Sequence, residues 1–393
     1  MSGEALDGAA VAMAQKGLRA RFISAGVDPI ELEDTLAQVS DWSEWRAAWT
    51  RLAGEWEWIA SAGDRRADRE TAADALLRSA LAHHFAGYLW FHDPAEYATT
   101  AAAAARRYRD AMGQLHGAAL VPFTACGTRL SGFVRQPQVG PAAGLVVLIP
   151  GLDATAAEVH AFSDAFLGRG LATLAFDGPG QGVMRTTTVP QAAFHEVLAS
   201  ALDGLEDHAW GSAVPTDRVV AVGVSLGGYY AVEAAANEER VAAAVSVCGP
   251  FDFSCCLPQM PPLSRLAWRH ACRAETDAEA IDVARTFTLE PHVDRVQQEV
   301  LVIHALGDRI IPCSEGERLA TRLRQVELLR VPRSDHVCHN LAPRIRPLIA
   351  DWARSRLTDP HSPSAAVRDS AAMGLGRLDD TGPEDPDRGG NEH

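Results

Sequence analysis

The segment Gly223-Val224-Ser225-Leu226-Gly227 restricts what this chain can fold into more than any other stretch. It follows the apolar run Arg218-Val219-Val220-Ala221-Val222 and leads directly into the helix-like Gly228-Tyr229-Tyr230-Ala231-Val232-Glu233-Ala234. A strand, a tight turn with a serine between glycines, and a helix make a nucleophile elbow, whose serine hydroxyl stands above the edge of a sheet. The glycines allow the backbone to turn sharply and leave space around the serine. The five-residue pattern alone is weak evidence. A strand before it, a helix after it, and an acid and a base downstream make it strong. A chain with this elbow is expected to use serine as a nucleophile.

The rest of the sequence is consistent with a mainly parallel sheet around that elbow. Short apolar runs at Leu145 to Ile149, Leu171 to Phe176, Val241 to Val247, Glu299 to His304 and Val326 to Val331 predict strands. Helical stretches between them, at Ala156 to Leu167 and Pro190 to His208, imply a sheet covered on both faces. Val121 to Ala125 and Leu130 to Gln136, joined around Gly127, predict a strand pair. The expected fold is therefore α/β, over residues 119–357, with a proline-rich helical lid insertion at 251–293. Residues 1–118 show only helical periodicity and predict a separate N-terminal helical region. There Asp41-Trp42-Ser43-Glu44 resembles a capping box, followed by Trp42, Trp45, Trp49 and Trp56 at helical spacing. Such a stripe reads as core packing, or more sharply as an aromatic face roofing a substrate pocket. Residues 358–393 are rich in Pro, Asp, Gly and Ser and are expected to be disordered.

Composition excludes several classes of partner. With 51 acidic and 36 basic residues the net charge is −15, which disfavours nucleic acid and anionic membrane surfaces. Seven cysteines without paired C-x-x-C spacing argue against a disulfide framework or a zinc site and suggest a reducing cytoplasm. Met1 to Gln15 lacks a cationic segment before an apolar one, so no signal peptide is expected, and no apolar run is long enough to span a bilayer. Nothing in the chain signals a metal or an organic cofactor.

A serine hydroxyl needs a base, and the base needs an acid to hold its tautomer. Asp308 follows the strand ending at His304 and precedes Ile310-Ile311-Pro312, the position of an acid just past a strand end. His336, after the strand Leu328 to Val331, is the expected base. The order Ser225, Asp308, His336 is that of α/β-hydrolases. His339 is the rival base, and Asp335 a weaker rival acid because adjacent side chains point apart. The oxyanion would be held by the N–H of Leu226, at the start of the elbow helix, and that of Leu152, in Pro150-Gly151-Leu152-Asp153. The loop Asp177-Gly178-Pro179-Gly180-Gln181-Gly182 lacks the spacing and lysine of a P-loop and reads as a structural turn beside the site.

Several segments in order carry a family resemblance: Gly26-Val27-Asp28 with the tryptophan-rich helix, His83 to Pro94, Pro150 to Asp153, Asp177 to Gly182, the elbow with Gly227-Gly228-Tyr229, and Asp335-His336-Val337-Cys338. From about residue 20 to 357 the chain resembles the FrsA-like α/β-hydrolases, in the branch of the 2,6-dihydroxypseudooxynicotine hydrolases. The resemblance implies a C–C bond hydrolase that cleaves beside a ketone carbonyl, with the triad on Ser225, Asp308 and His336, an N-terminal helical cap and a homodimer. Ala154 and Ala156 depart from that branch, where serine and lysine are expected, so the substrate is expected to differ. The expected substrate is a small aromatic or polyketide-like ketone or β-diketone. A carboxylesterase or lactonase with the same triad is the alternative, and a non-catalytic regulatory protein on the same fold is a third reading. His84, Trp90, Tyr229 and Tyr230 are candidate substrate contacts left out of the catalytic set.

Overall fold

The computed structural model describes residues 11, 13–66, 68–88 and 93–359. Trp90 and all but the first two residues of the expected tail, 358–393, lie outside these.

Eight strands form one sheet: β1 (Ala118–Ala125), β2 (Thr128–Arg135), β3 (Leu145–Ile149), β4 (Ala172–Phe176), β5 (Val219–Val224), β6 (Val241–Val247), β7 (Glu299–Ala305) and β8 (Val326–Val331). Their order is β1-β2-β4-β3-β5-β6-β7-β8. The first pair is an antiparallel hairpin, and β2 runs antiparallel to β4. Cys126 and Gly127 turn that hairpin with φ of 51° and 70°, the positive values a two-residue turn needs to match strand twist. From β4 onward all pairings are parallel. The parallel strands are continuous apolar runs because both faces are covered. Val146 and Leu148 of β3 join a core with Phe162, Phe166, Ile345 and Trp352, whereas Leu145, Val147 and Ile149 join the opposite core with Phe194, Val197, Tyr229 and Tyr230.

The N-terminal region is helical among its described residues: α1 (Arg19–Ala25), α2 (Pro29–Leu36), α3 (Trp42–Arg66), α4 (Arg69–Gly87) and α5 (Pro94–Gln114), with a π-helical turn at Met13–Gly17. The capping box at the start of α3 is formed. Asp41 Oδ1 accepts from the Ser43 N–H at 2.9 Å, and Glu44 Oε2 accepts from the Asp41 N–H at 3.1 Å. Trp42, Trp45 and Trp49 are buried, and the last two meet Phe22 and Phe85 at ring distances between 5.3 and 6.1 Å where measured against Phe22 and 5.4 Å for Trp49 against Phe85. Trp45 Nε1 donates to the Phe85 carbonyl at 2.8 Å. The tryptophan stripe therefore holds α1, α3 and α4 together as core. It does not roof a pocket: its apolar faces are filled by Phe22 and Phe85.

The sheet's remaining helices are α6 (His160–Leu167), α7 (Phe194–Glu206), α8 (Leu226–Asn237), α9 (Phe253–Cys256), α10 (Pro262–Ala271), α11 (Asp277–Ala284), α12 (Cys313–Arg322) and α13 (Ala342–Thr358). Helices α9 to α11 occupy the segment between β6 and β7, where Trp268 packs edge-on against Phe253 and Phe287. No helix among the described residues is long and apolar enough to cross a membrane.

Candidate active site

Ser225 lies between the end of β5 and the first residue of α8, with φ 55° and ψ −126°. Holding a non-glycine residue there costs on the order of 1–3 kcal/mol, which the surroundings must offset. They do so by close packing. A Cβ on Gly223 would sit 1.8 Å from the Gly227 carbonyl oxygen, and one on Gly227 would sit 2.2 Å from that of Ile149. Both glycines are therefore fixed by sterics, and the turn is tied by Ser225 N–H to Val247 O and Gly228 N–H to Ser225 O, each 2.8 Å.

Residues from three strand ends converge on this serine. His336 Nε2 lies 2.8 Å from Ser225 Oγ, and His336 Nδ1 lies 2.6 Å from Asp308 Oδ2. A carboxylate can only accept, so Nδ1 carries the donated proton and Nε2 is left to accept from the serine hydroxyl. Asp308 Oδ1 accepts from the Ile310 and Ile311 N–H groups at 2.8 and 2.9 Å. Burial pushes the Asp308 carboxyl up, but His336 and these two N–H groups outweigh it, and the net direction is down. Behind it, His304 Nε2 donates to the Ile311 carbonyl at 3.0 Å, and burial pushes the His304 imidazole down. Cys248, His304 and Asp308 bring potential metal-ligand atoms within 4.8 Å of one another. The Cys248 sulfur accepts from Ala305 N–H and the Asp308 carboxylate is taken by His336, so these groups support the acid.

Neither rival is hydrogen-bonded to Ser225 or His336 among the described residues, although His339 lines the same cavity. Ser24 Oγ donates to the Arg21 carbonyl, so at 2.9 Å His339 Nδ1 is the donor to Ser24 Oγ. Burial and the nearby Arg21 push the His339 imidazole down to about 3. Asp335 Oδ1 accepts from Asn340 N–H at 3.2 Å, closing its own loop. The loop of His336 is unusual, because Val337 and Cys338 both take left-handed φ, 63° and 58°.

Among the described residues, neither the Leu226 nor the Leu152 N–H donates to a protein acceptor. The carbonyls around Leu152 are held from the other side. Gln181 Nε2 donates to Pro150 O at 2.7 Å and Gly151 O at 2.9 Å, while Arg185 reaches Leu152 O at 2.5 Å and Asp153 Oδ1 at 2.9 Å. Sequence reasoning placed the glycine-rich loop beside the site but missed that Gln181 and Arg185 orient the loop before it. A glutamine inside an otherwise small-residue turn was the available sign.

The cavity over Ser225 is lined from below by Leu152, Leu226 and His336, and from above by Leu18, Arg21 and Tyr88 of the N-terminal region. Phe253 and Met260, between β6 and β7, close one side. Tyr229 and Tyr230, named as candidate contacts, are instead in the core on the far side of α8, where Tyr230 stacks on Phe194 at 4.2 Å. They sit on the helix face turned away from the serine. His84 pairs with Glu158 at 2.8 Å and lines a separate small cavity with Tyr97, Tyr108 and Asp177.

Comparison with known proteins follows this geometry. A family model described as Esterase FrsA-like matches residues 4–263, and one described as the prolyl oligopeptidase family matches residues 198–355. The chain is 27% identical over 312 residues to 2,6-dihydropseudooxynicotine hydrolase of Paenarthrobacter nicotinovorans, covering 78% of this chain and 83% of that one. It is 28% identical over 274 residues to Hydrolase pyiE of Pyricularia grisea, covering 62% and 58% respectively. The crystal structure of the 2,6-dihydroxy-pseudo-oxynicotine hydrolase superposes with a TM-score of 0.80 at 26% identity, over 88% of this chain and 97% of that one. AbyA5, at TM-score 0.72 and 17% identity over 93% and 97%, shares the fold. With a family model spanning residues 4–263 and an α/β-hydrolase fold beneath it, the chain belongs to the FrsA-like esterase family.

Proposed function

We propose that this hydrolase cleaves a C–C bond next to a ketone carbonyl, with Ser225 as nucleophile, His336 as base and Asp308 as its orienting acid. The observation that carries the reading is the hydrogen-bonded relay of 2.8 and 2.6 Å ending on a strained serine that faces a cavity. The similarity to a protein named as a pseudooxynicotine hydrolase supports the C–C specificity.

In this mechanism Ser225 Oγ attacks the carbonyl carbon while His336 Nε2 takes its proton. The Leu226 and Leu152 N–H groups hold the resulting oxyanion. Collapse breaks the bond to the neighbouring carbon, whose electron pair must delocalise into an enol or an electron-rich ring. The imidazolium returns its proton to that carbon. Water, deprotonated by His336, then attacks the acyl–Ser225 ester and releases a carboxylic acid. The N-terminal helices roof the cavity and exclude bulk water from these steps.

Ester or lactone hydrolysis is the second reading, favoured by the esterase description of the matching family model. It uses the same residues with an alkoxide leaving group. Turnover of a panel of aryl β-diketones beside short p-nitrophenyl esters, with Ser225→Ala as control, separates the two.

A further inference from the structure

Two arginines line the cavity over Ser225, and their surroundings differ. Four of the five Arg21 guanidinium N–H donors are engaged. They meet both Glu158 oxygens at 2.7 and 2.9 Å, the Tyr88 hydroxyl at 2.8 Å and the Asp153 carbonyl at 3.0 Å. Arg346, in the first turns of α13 just after the His336 loop, makes no hydrogen bond or ion pair among the described residues. Its guanidinium lies 5.2 Å from the centroid of the Phe162 ring.

The carboxylates that act on Arg346 through space are Glu158 and Asp164. Each already has an arginine of its own, Arg21 at 2.7 Å and Arg135 at 2.8 Å. Burial pulls the Arg346 guanidinium down to about 10, which leaves it charged at neutral pH. An arginine in a protein keeps its charge, and Arg346 is half-buried on a cavity wall with no ion-pair partner of its own, a position that suits an anion. A planar fork of N–H donors matches a carboxylate in bidentate fashion. The same cavity wall carries the apolar Val159, Phe162, Ile345 and Ile349, together with His339, whose imidazole feels the Arg346 charge.

We propose that Arg346 is a substrate-binding residue that seats a carboxylate of the substrate, remote from the carbonyl that Ser225 attacks. The apolar part of the substrate lies along Phe162, Ile345 and Ile349 between the two. This inference rests on the reading of the cavity as the hydrolase site, and it narrows the substrate class to ketones bearing an anionic arm.

The test uses binding and so does not depend on which bond is cleaved. In a Ser225→Ala background, calorimetry compares 3-phenylpropanoate and 4-phenylbutanoate with their primary amides at pH 7.5. The acids are expected to bind at least about tenfold more tightly than the amides, the range of a charge-assisted hydrogen-bond pair. Adding Arg346→Gln removes that preference while the amide affinity is kept, which also reports an intact cavity. Should Arg346→Gln lose amide binding through misfolding, Arg346→Lys decides: a retained preference for the acids supports the proposal, and its loss overturns it. Equal binding of acid and amide with Arg346 present, a preference that survives Arg346→Gln, or no binding of either ligand at millimolar concentration also overturns it. Absence of diketone turnover with these binding results intact would count against the C–C reading alone.

Discussion

The ion pair between Arg21 and Glu158 fastens α1 to the loop between β3 and α6, and its loss has a calculable cost. The side chains are 14% and 5% exposed, so the pair belongs to the buried regime. Glu158 also accepts from His84 at 2.8 Å, and Arg21 also donates to Tyr88 and Asp153. Replacing Arg21 by Met leaves a buried carboxylate with only His84 hydrogen-bonded to it, a loss of about 3–5 kcal/mol. Glu158→Gln strands the arginine at a similar cost. The double variant removes both charges of the pair, so its loss is expected to fall short of the sum of the singles by about 2–3 kcal/mol. Burial pushes the Glu158 carboxyl up, but Arg21 and His84 outweigh it and hold it well below the usual range. Its contribution is thus fully present above pH 4.5, the ordinary glutamate value here, and is lost only as pH falls through the lowered folded value. In Arg21→Met burial dominates, the carboxyl moves up, and acidification protonates it early. The destabilisation by Arg21→Met is therefore largest near neutral pH and shrinks as pH falls towards 4.5. Urea unfolding followed by tryptophan fluorescence reads all four proteins across this range. Additivity within about 0.5 kcal/mol, or a pH-independent loss, would refute the reasoning.

Two further predictions concern the site and its support. His336→Ala should lower kcat by about 10⁶-fold, since serine and base act as a unit, whereas His339→Gln should leave the chemical step in place; single-turnover kinetics on a confirmed substrate distinguishes them, and equal losses would reassign the base. Burial pushes the Asp177 carboxyl up to about 6, against the Ala156 N–H and His84, from an ordinary 3.8. The folded state then binds the proton more tightly than the unfolded one, so stability falls by about 3 kcal/mol as pH rises from 3.8 to 6. Asp177→Asn should abolish that fall in thermal melts, and an unchanged pH profile would show the carboxyl titrates normally.

Much of the architecture was legible in the chain because apolar, β-branched runs mark buried strands. Leu145–Ile149, Val241–Val247 and Val326–Val331 carry the predicted limits. Helix starts were less legible where tertiary contacts set them. Ala156 to Val159 were expected to be helical, yet Ala156 N–H is taken by Asp177 Oδ1 at 2.7 Å and α6 begins at His160. Likewise α7 begins at Phe194 and not Pro190, with the His195 N–H held by Glu233 of α8 at 2.9 Å. No local pattern reveals a cap supplied from another helix. The start of α5 is written in the local sequence: Asp93 accepts from Ala95 and Glu96 N–H, and Pro94 occupies the first helical position. At the site, Ser225, Asp308 and His336 follow strand ends and could be named from sequence order. The partners by which Arg21, Gln181 and Arg185 hold residues 150–158 could not, because they join segments between 30 and 137 residues apart.

The central claim is tested most directly by product analysis. Purified protein and its Ser225→Ala variant are incubated with an aryl β-diketone in ¹⁸O-labelled water, and the products are weighed by mass spectrometry. The account predicts one labelled carboxylic acid and one ketone per diketone consumed by the wild type, with turnover by Ser225→Ala reduced by about 10⁶-fold. Diketone cleavage that survives in Ser225→Ala, or turnover of esters with every diketone left intact, would contradict it.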